Sequence, residues 1–376
     1  MSTVPTDLSN WRTEPHSAWS FVNVEKLVPI QIIKSDDREP AALHSKEQLL
    51  SGLSLKSNDK TLDIESLLEA TDTDGYIVLS QGNIVYEHYS HNNDRSSKHI
   101  MMSMTKSIVG LLVGHLKGQG KLDVDAPVIQ YLPEMKGTAY DSITIRHLLD
   151  MRSGVQYDDS CHEYRAVFLW DPLSDDEQPS DALEFLKTFH HPTNGPGGPF
   201  GYQSVNTDLL GLVIERATGE KFADLVSELI WKPMGAESDA FITVDRKGNP
   251  RTAGGMAATL RDIARVGQAL VDGNIAPKAW LEDMIHGGDT QAYAGSLFAK
   301  LSATLSTNMA YRSCWITDGS EKIHVALGIH GQSLMVDVAN NIVVAKTSSQ
   351  SQPFDVEKAV MTFKAFREIQ RVLLKS

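Results

Sequence analysis

The chain has 376 residues, which at roughly one domain per 150 residues predicts two domains, or one large domain with an insertion. Hydrophobic residues make up 41% and charged residues 22% of the chain, a globular composition that excludes collagen-like, coiled-coil and disordered proteins. The formal net charge of −13 repels phosphate backbones and anionic lipid surfaces, so we expect neither nucleic acid nor a membrane as a partner.

The sequence carries no sign of secretion or of a membrane anchor. Its two cysteines, Cys161 and Cys314, are too few for a disulfide scaffold, and we expect both to be reduced thiols. The N-terminus lacks a basic stretch followed by an apolar run, and the longest apolar segment, residues 108–113, is far shorter than the ~20 residues that span a bilayer. These features predict a soluble cytoplasmic protein and leave the oligomeric state open.

The N-terminal third of the chain predicts a hairpin followed by a buried helix. Residues 75–89 are rich in β-branched and aromatic side chains on both sides of a Gln-Gly-Asn turn. From Ser103 onwards, apolar residues recur around most of a helical circumference until Gly118 and Gly120. A helix that is apolar on nearly all sides is expected to lie in the protein interior.

The middle of the chain has mainly helical periodicity. A hydroxyl residue at the start and a glycine at the end predict a helix within residues 142–154. Further helices are predicted from Asn206 to Gly219 and over residues 262–270. An acidic segment, residues 171–181, holds five carboxylates and no basic residue.

The C-terminal part returns to strands and then ends in a helix. Four short runs predict an antiparallel sheet: residues 313–317, 322–328, 333–336 and 342–345. An apolar stripe predicts a last helix beginning near Asp355.

Strands near both ends of the chain and helices between them indicate one sheet built from both termini. We therefore predict a mixed α/β fold of the α+β type, an antiparallel sheet flanked by helices. Residues 1–100 and 290–376 are expected to form the sheet domain, and residues 101–289 a mostly helical inserted domain. A catalytic cleft is expected between the two.

Several common catalytic motifs are missing from the sequence. His162 and Glu163 lack the second histidine four positions later that a helical zinc site requires, so no metal is expected. No P-loop and no GxGxxG follows a predicted strand, and no GxSxG nucleophile elbow occurs. Nucleotide-phosphate binding and the commonest Ser-His-Asp hydrolases are thereby excluded.

The pattern Ser-x-x-Lys occurs twice, at residues 57–60 in a polar stretch and at residues 103–106 at the start of the apolar helix. Residues i and i+3 share one face of a helix, so the Lys106 ammonium can reach the Ser103 hydroxyl. A desolvated lysine has a lowered pKa and can activate a serine, and the helix N-terminus with the Ser103 N–H favours an oxyanion. The alternative is that Ser103 only caps the helix and Lys106 is exposed to solvent.

A second candidate is Tyr202, in a loop of glycines and prolines, residues 193–206, directly before a helix. A phenol beside an ammonium has its ionised form favoured, so Tyr202 is expected to take the serine proton or to pass one to the leaving group. The alternative is an aromatic side chain packed beneath the loop.

The third candidate is the predicted strand at residues 326–332, which contains Gly328 and Gly331. Two glycines so close together in a strand mark a bulge or a close approach of the backbone to a ligand. Backbone N–H groups here are candidates for an oxyanion hole, and the alternative is a plain β-bulge.

These three pieces, in this order, resemble the motifs of the serine β-lactamase and penicillin-binding-protein superfamily, which are SxxK, a Tyr or Ser motif, and a Lys/His-Thr/Gly-Gly strand. Further landmarks resemble the class C β-lactamase and carboxylesterase branch, and the resemblance covers residues 70–350. The landmarks are residues 143–154, 209–219, 231–235 and 261–265. Within this branch the sequence is most similar to the 6-aminohexanoate-dimer hydrolases, on Tyr202-Gln-Ser204, the strand at 328–332 and the segment at 19–21.

The resemblance implies a role for each motif residue. Ser103 is the nucleophile, Lys106 assists its deprotonation, and Tyr202 is the acid and base that serves the leaving group. The N–H groups of Ser103 and Ile329 form the oxyanion hole when residues 326–329 are matched to the third motif. Matching residues 329–331 instead moves the second donor to Gln332. An acyl-enzyme forms on the serine and is hydrolysed by water, and no metal or organic cofactor is implied.

The substrate-binding residues implied are Ser204, His330, Trp170 and Asp171. Carboxylates of the acidic segment are candidates for holding a substrate ammonium, and the alternative is a solvated acidic loop. Two departures from the β-lactamase pattern bear on the substrate. Ala326-Leu327-Gly328 replaces the Lys-Thr-Gly triad that binds a β-lactam carboxylate, and Ser204 replaces the usual asparagine of the tyrosine motif.

The resemblance therefore implies a serine hydrolase that acts on small carboxylic esters or linear amides. A D-amino-acid peptidase or a promiscuous esterase with the same three residues is an alternative enzyme. A non-catalytic penicillin-binding-like module is the alternative from a different class.

Overall fold

The computed structural model describes residues 5–46, 50–57, 60–91, 93–190 and 194–375. Its strands, in chain order, are β1 Ile30–Ile33, β2 His44–Ser45, β3 Leu55–Ser57, β4 Lys60–Leu62, β5 Thr73–Ser80, β6 Asn83–Tyr89, β7 Lys98–Ile100, β8 Ala240–Thr243, β9 Met256–Thr259, β10 Ala310–Arg312, β11 Trp315–Asp318, β12 Ile323–Gly328, β13 Gln332–Asp337 and β14 Ile342–Ser348.

The α-helices are α1 Ser17–Ser20, α2 Ile64–Ala70, α3 Met104–Gly118, α4 Ile145–Leu149, α5 His162–Val167, α6 Ala182–Lys187, α7 Ser204–Thr218, α8 Phe222–Val226, α9 Leu260–Val271, α10 Lys278–His286, α11 Thr290–Ala294, α12 Leu297–Ser302 and α13 Val356–Leu373. Short 3₁₀ turns include Ile329–Gly331. In the described part of the chain, no helix has the length and apolarity needed to cross a membrane.

The main sheet has eight strands in the order β10-β11-β12-β13-β14-β5-β6-β2, so that strand β14 from the C-terminal part pairs with β5 from the N-terminal part. All pairs are antiparallel except the short pairing of β2 with β6. The predicted hairpin is confirmed, because β5 and β6 are joined at Gln81 and Gly82, whose φ angles of 50° and 73° suit a tight hairpin turn.

Both faces of this sheet are covered. Ile77 and Leu79 of β5 belong to one hydrophobic core, together with residues of α3 and α9. The alternating Tyr76 and Val78 belong to a second core, with residues of α2 and α13. Because successive side chains of a strand point to opposite faces, a sheet with helices on both faces needs apolar residues at successive positions, as residues 76–79 of β5 show. The predicted antiparallel sheet flanked by helices is confirmed.

A second sheet was not predicted. Its four strands have the order β1-β8-β9-β7, and they bring residues 240–243 and 256–259, which lie within the predicted helical region, beside N-terminal strands. These strands are only three or four residues long, too short to carry a clear two-residue periodicity. The division into a sheet domain from both termini and a helical domain over residues 101–289 stays a prediction.

Several predicted boundaries were wrong for local reasons. The helix expected within residues 142–154 covers only Ile145–Leu149, because Thr144, not Ser142, accepts the capping bond. The run at residues 313–317 is not one strand, since Ser313 and Cys314 have φ angles of 50° and 65° and turn the chain between β10 and β11. The helix expected from Asn206 begins two residues earlier, and its end at left-handed Gly219 is confirmed.

The predicted buried helix α3 packs at unusually short range against β11. A Cβ atom on Gly110 would lie 1.9 Å from the carbonyl oxygen of Ser313, so only glycine permits this approach. Ser107 also donates a hydrogen bond of 2.9 Å to the carbonyl of Cys314. These contacts fix the depth of α3 against the main sheet and thereby the position of the helix start, where Ser103 lies.

Candidate active site

Ser103 lies at a strained turn between the second sheet and α3. The N–H of Met101 donates to the carbonyl of Met256 in 2.8 Å, and Met102 then adopts a left-handed conformation with φ of 48°. Such a conformation costs a non-glycine residue about 1–3 kcal/mol and is concentrated at functional sites. The Ser103 side chain makes no capping hydrogen bond, so the alternative of a purely capping serine is wrong.

Lys106 is buried, with 1% of its surface exposed, and the alternative of a solvated lysine is therefore also wrong. Its Nζ donates to Ser103 Oγ in 3.0 Å, to Ser204 Oγ in 3.1 Å and to the carbonyl of Ala253 in 2.6 Å. Burial lowers the pKa of Lys106 to about 8, against the opposing charge of Asp159. A lysine in this state changes protonation near neutral pH, as a base for serine must.

Tyr202 lines the same cavity as Ser103, with which its phenol interacts, and its ring packs at 5.0 Å between centroids on Phe298. The packing role and the catalytic position are therefore compatible. Burial raises the pKa of Tyr202, partly offset by the bond to Ser103. The expectation that the ammonium favours the phenolate is thus wrong, because Lys106 Nζ lies over the ring, 4.9 Å from its centroid, and desolvation dominates at the hydroxyl.

Ser204 is the first residue of α7, and it connects Lys106 to the start of this helix. Its Oγ accepts from Lys106, while its N–H donates to both carboxylate oxygens of Asp159, each in 3.0 Å. Asp159 was not predicted, although it lies just before the acidic segment in the sequence. The Asp159 charge favours the ammonium form of Lys106 and so opposes part of the effect of burial on the Lys106 pKa.

The third motif is a turn and not a continuous strand. β12 ends at Gly328, residues 329–331 form a 3₁₀ turn, and β13 begins at Gln332. A Cβ on Gly328 would lie 2.7 Å from the carbonyl oxygen of Met101, so the glycine lets this turn approach the residues just before Ser103. The alternative of a plain β-bulge is therefore wrong. The two backbones can approach this closely because residue 328 has no Cβ atom.

The structure distinguishes the two predicted oxyanion donors by position. Ile329 lines the same cavity as Ser103. Gln332 does not line it, and the side-chain amide of Gln332 donates to the carbonyls of Ile329, His330 and Ser348, which holds the turn from behind. Ile329 is therefore the donor that we retain.

His330 lies behind the site. It is 1% exposed, its Nδ1 is 2.6 Å from the carbonyl of Gln350, and its ring packs on Phe21 at 5.1 Å between centroids. Burial lowers its pKa to about 4, so the ring is neutral near pH 7. Direct contact of His330 with a substrate finds no support in this placement.

The cavity at the site has a volume of about 170 Å³. Of the predicted residues, Ser103, Tyr202, Ser204, Ile329 and Trp170 line it, and Lys106 lies beneath it, bonded to Ser103. Among the described residues the lining does not include Asp171. The Asp171 carboxylate instead forms an ion pair with Arg12, with His162 at 3.6 Å and Arg165 at 4.0 Å.

A buried ion pair supports the floor of the cavity. Asp208 Oδ1 accepts from the N–H of Ala253 in 2.8 Å, and its Oδ2 pairs with Arg251 and accepts from Tyr164 in 2.5 Å. Ala253 is the residue whose carbonyl holds Lys106. Sequence patterns carry no signal for this support, because Ala253 contacts Lys106 through its backbone carbonyl, for which no residue type is required.

The arrangement provides a serine hydroxyl, a buried amine within hydrogen-bond distance of it, a phenol in the same cavity and a backbone turn that lines this cavity. This set suits acyl transfer, in which a proton leaves the serine and another reaches the leaving group. No group of three or more His, Cys, Asp or Glu side chains in the described ranges is arranged to hold a metal ion.

Comparisons with known proteins agree on the family. The family model described as Beta-lactamase matches residues 64–363. The 6-aminohexanoate-dimer hydrolase of Paenarthrobacter ureafaciens is 32% identical over 362 residues, which cover 92% of this chain and 88% of that protein. Esterase EstB of Burkholderia gladioli is 32% identical over 186 residues, 45% of this chain and 47% of that one.

Among solved structures, a protein from Bacillus anthracis described as a 6-aminohexanoate-dimer hydrolase superposes with a TM-score of 0.87, at 24% identity and over 99% of both chains. A D-stereospecific amidohydrolase from Streptomyces gives a TM-score of 0.59 at 20% identity, over 80% of this chain and 98% of that one. These likenesses confirm the predicted β-lactamase-like fold. Because the family model matches most of the chain and one relative is 32% identical over nearly its whole length, the protein belongs to the β-lactamase family of serine hydrolases.

Proposed function

We propose that the protein hydrolyses small carboxylic esters or linear amides through an acyl-enzyme on Ser103. The observation that carries the proposal is the contact of 3.0 Å between Lys106 Nζ and Ser103 Oγ, made by a lysine that is 1% exposed. A buried amine beside a serine that makes no capping bond is costly for folding, and it has a purpose if the amine receives the serine proton.

Acylation begins with the neutral form of Lys106. With a pKa of about 8, roughly a tenth of the molecules carry the neutral amine at pH 7. Ser103 Oγ forms a bond to the carbonyl carbon, and its proton passes to Lys106. Tyr202, a neutral phenol beside Ser103 in the cavity, gives its proton to the leaving oxygen or nitrogen as that bond breaks. The Lys106 ammonium then gives its proton to the Tyr202 phenolate, so that both residues regain their starting protonation states.

Deacylation is the reverse with water in place of the leaving group. Water attacks the acyl carbon, its proton passes to the same pair of residues, and Ser103 is released with its proton. In both steps the negative charge on the carbonyl oxygen is held by the N–H groups of Ser103 and Ile329. A donor of this kind contributes roughly 10²–10³-fold in rate.

One departure from the β-lactamase pattern and two relatives support the proposed substrate class. Ala326-Leu327-Gly328 offers no ammonium for a β-lactam carboxylate, which disfavours β-lactams. The relatives similar to this chain are named as an amide hydrolase and as an esterase. Both reactions use the same acyl-enzyme and differ only in how much help the leaving group needs from Tyr202.

A fluorophosphonate probe tests the nucleophile. We expect one probe per chain, on the peptide that contains Ser103, and loss of labelling in Ser103→Ala. Ser57→Ala is the matched control, since it removes the serine of the other Ser-x-x-Lys pattern. An unlabelled native protein would support a non-catalytic binding module instead.

A substrate panel tests the reaction class. It compares p-nitrophenyl acetate, butyrate and octanoate with 6-aminohexanoate dimer, a D-amino-acid amide and nitrocefin. We expect turnover of the short esters and of a linear amide. Nitrocefin turnover above that of all the others would overturn the substrate class, and preference for the D-amino-acid amide would favour the peptidase alternative.

A further inference from the structure

The cavity wall that faces away from Lys106 carries more positive charge than its neighbours neutralise. Three arginines line the cavity: Arg12, Arg165 and Arg251. Arg251 is neutralised by the buried carboxylate of Asp208, and the Lys106 ammonium by nearby Asp159. Arg12 and Arg165 share a single carboxylate, that of Asp171.

Arg165 is the less satisfied of the two. Its guanidinium is 4.0 Å from Asp171, and no hydrogen bond from it to another of the described residues is present. Arg12 takes the nearer position on Asp171, and its Nε is buried without a partner among the described residues. His162 does not add to the imbalance, because it pairs with Glu177 at 2.9 Å. Asp158, the other carboxylate that acts on Arg165, is exposed and bonded to Ser160.

The two signs of charge lie at different ends of the cavity. Asp159 acts on Lys106 and on Tyr202, the residue that serves the leaving group. The Arg12 guanidinium lies 5.5 Å from the centroid of the Trp11 ring, Trp11 packs on Phe21 at 5.9 Å between centroids, and Phe21 packs on His330, the neighbour of Ile329. Arg165 is near Arg12, because both pair with Asp171. These contacts place the two arginines on the side of the oxyanion turn.

We infer that the substrate's acyl part carries a carboxylate, which Arg165, supported by Arg12, binds at the far end of the cavity. This inference rests on the proposed function. It also replaces the expectation of a substrate ammonium held by the acidic segment. In that segment Asp171 is paired with Arg12, Glu177 with His162, and Asp181 accepts from the N–H groups of Leu183 and Glu184. The other two carboxylates, Asp175 and Asp176, are exposed and do not line the cavity.

Matched esters test the inference. Mono(p-nitrophenyl) adipate carries the carboxylate, p-nitrophenyl 6-methylheptanoate is its neutral isostere, and p-nitrophenyl 6-aminohexanoate carries an ammonium. We expect kcat/KM for the adipate to exceed that for the isostere by about 10-fold or more, since charge-assisted bonds from arginine to carboxylate are strong. The preference is expected to fall as salt is raised.

Variants locate the binding residue. Arg165→Gln is expected to bring the adipate-to-isostere ratio close to one through a higher KM for the adipate. Asp171→Asn is expected to raise the ratio, because it frees the two guanidiniums. Arg12→Gln provides a second test if Arg165→Gln folds poorly. Arg216→Gln, which removes a surface guanidinium paired with Glu134, is the matched control.

The outcomes separate the two proposals. If no ester is hydrolysed by the native protein, the proposed function is wrong. If the isostere is hydrolysed but the ratio is near one, or is unchanged in Arg165→Gln, the carboxylate site is wrong and the hydrolase stands. Preference for the aminohexanoate ester would overturn the carboxylate site in favour of an ammonium site.

Discussion

Lys106 makes its shortest hydrogen bond within the described residues, 2.6 Å, to the carbonyl oxygen of Ala253. A carbonyl only accepts, so this bond always uses an N–H of the lysine. A neutral amine has two N–H groups and one lone pair. With one N–H on Ala253 and the other on Ser204 Oγ, the lone pair is left for the Ser103 proton.

Activity should therefore follow the deprotonation of Lys106. The active form is the neutral amine, so kcat/KM for p-nitrophenyl butyrate is expected to rise about tenfold per pH unit below the pKa of about 8 and to level off above it. Lys106→Arg should lose about 10²–10⁴-fold, because a guanidinium keeps its proton. A profile that is flat from about pH 6 to 9 would contradict the role of Lys106 as base.

Tyr202→Phe should reveal its role through the leaving group. The p-nitrophenolate ion leaves without a proton, whereas an amine must receive one. The rate of amide hydrolysis should therefore fall by about 10²–10⁴-fold, and the rate of the p-nitrophenol burst should fall much less. Stopped-flow measurement of the burst, compared with amide turnover, separates the two. Phe200→Leu, which alters the aromatic packing near Tyr202 but no hydroxyl, is the control. Equal losses for both substrates would argue against proton donation to the leaving group.

Gly328→Ala should displace the oxyanion turn. The new Cβ would lie 2.7 Å from the carbonyl oxygen of Met101 and 2.9 Å from the Cβ of Gln332, distances that force the backbones apart. We expect kcat to fall by about 10²–10³-fold, the effect of losing one oxyanion donor, with the overall fold retained by circular dichroism. Gly295→Ala is the matched control, since nothing lies within 4 Å of its added Cβ.

Asp208→Asn should destabilise the protein strongly. It leaves the Arg251 guanidinium buried without its carboxylate, at a cost of about 3–5 kcal/mol in the free energy of unfolding, measured by urea denaturation. Glu134→Gln breaks an exposed pair with Arg216 and should cost only about 0–1 kcal/mol. Replacing Asp208 and Arg251 together by apolar residues is expected to restore part of the loss. Similar small effects for both single variants would contradict the supporting role of Asp208.

Lys346 should make stability depend on pH. It is 1% exposed, its Nζ donates to the carbonyls of Thr71 and Gly331 in 3.1 Å each, and burial lowers its pKa to about 7, against the charges of Asp74 and Asp72. Above pH 7 the unfolded chain binds the proton more readily than the folded one, up to the ordinary lysine pKa. The unfolding free energy therefore rises with pH in this window, by at most about 1.4 kcal/mol per pH unit.

The measurement is urea denaturation at about pH 7, 8.5 and 10, with Lys346→Met for comparison. The difference between native protein and variant should grow with pH in favour of the native protein, since other titrating groups are common to both. A difference that is constant across this range would show that Lys346 has an ordinary pKa.

The elements with strong local patterns could be predicted from the sequence. The hairpin of β5 and β6, the buried helix α3 and the C-terminal helix α13 each combine a clear period with a turn or cap signal. The short strands β8 and β9 could not, because four residues carry too little periodicity. Their outer partners, β1 beside β8 and β7 beside β9, are also far away in the sequence.

The residues of the candidate site also divide into those that sequence patterns predict and those that they do not. Motif spacing predicts Ser103 and Lys106, and the loop of glycines and prolines before a helix predicts Tyr202. Ile329 follows from the resemblance of residues 326–329 to the third motif of the family. Asp159 and the arginines of the cavity could not be found, since each acts only through tertiary placement. The error about the Tyr202 phenolate has a similar origin: a sequence indicates that an ammonium is near, but not that burial outweighs it.

The N-terminal segment has a consequence for how the protein acquires its specificity. The family model begins at residue 64, yet Arg12 lines the cavity and Trp11 donates in 2.9 Å to the carbonyl of Trp170. The reaction centre and one wall of its cavity thus come from separate stretches of chain. Exchange of about the first sixty residues between relatives should transfer substrate preference while the catalytic residues stay in place. New substrate specificities in this family can therefore arise by replacement of the N-terminal segment alone.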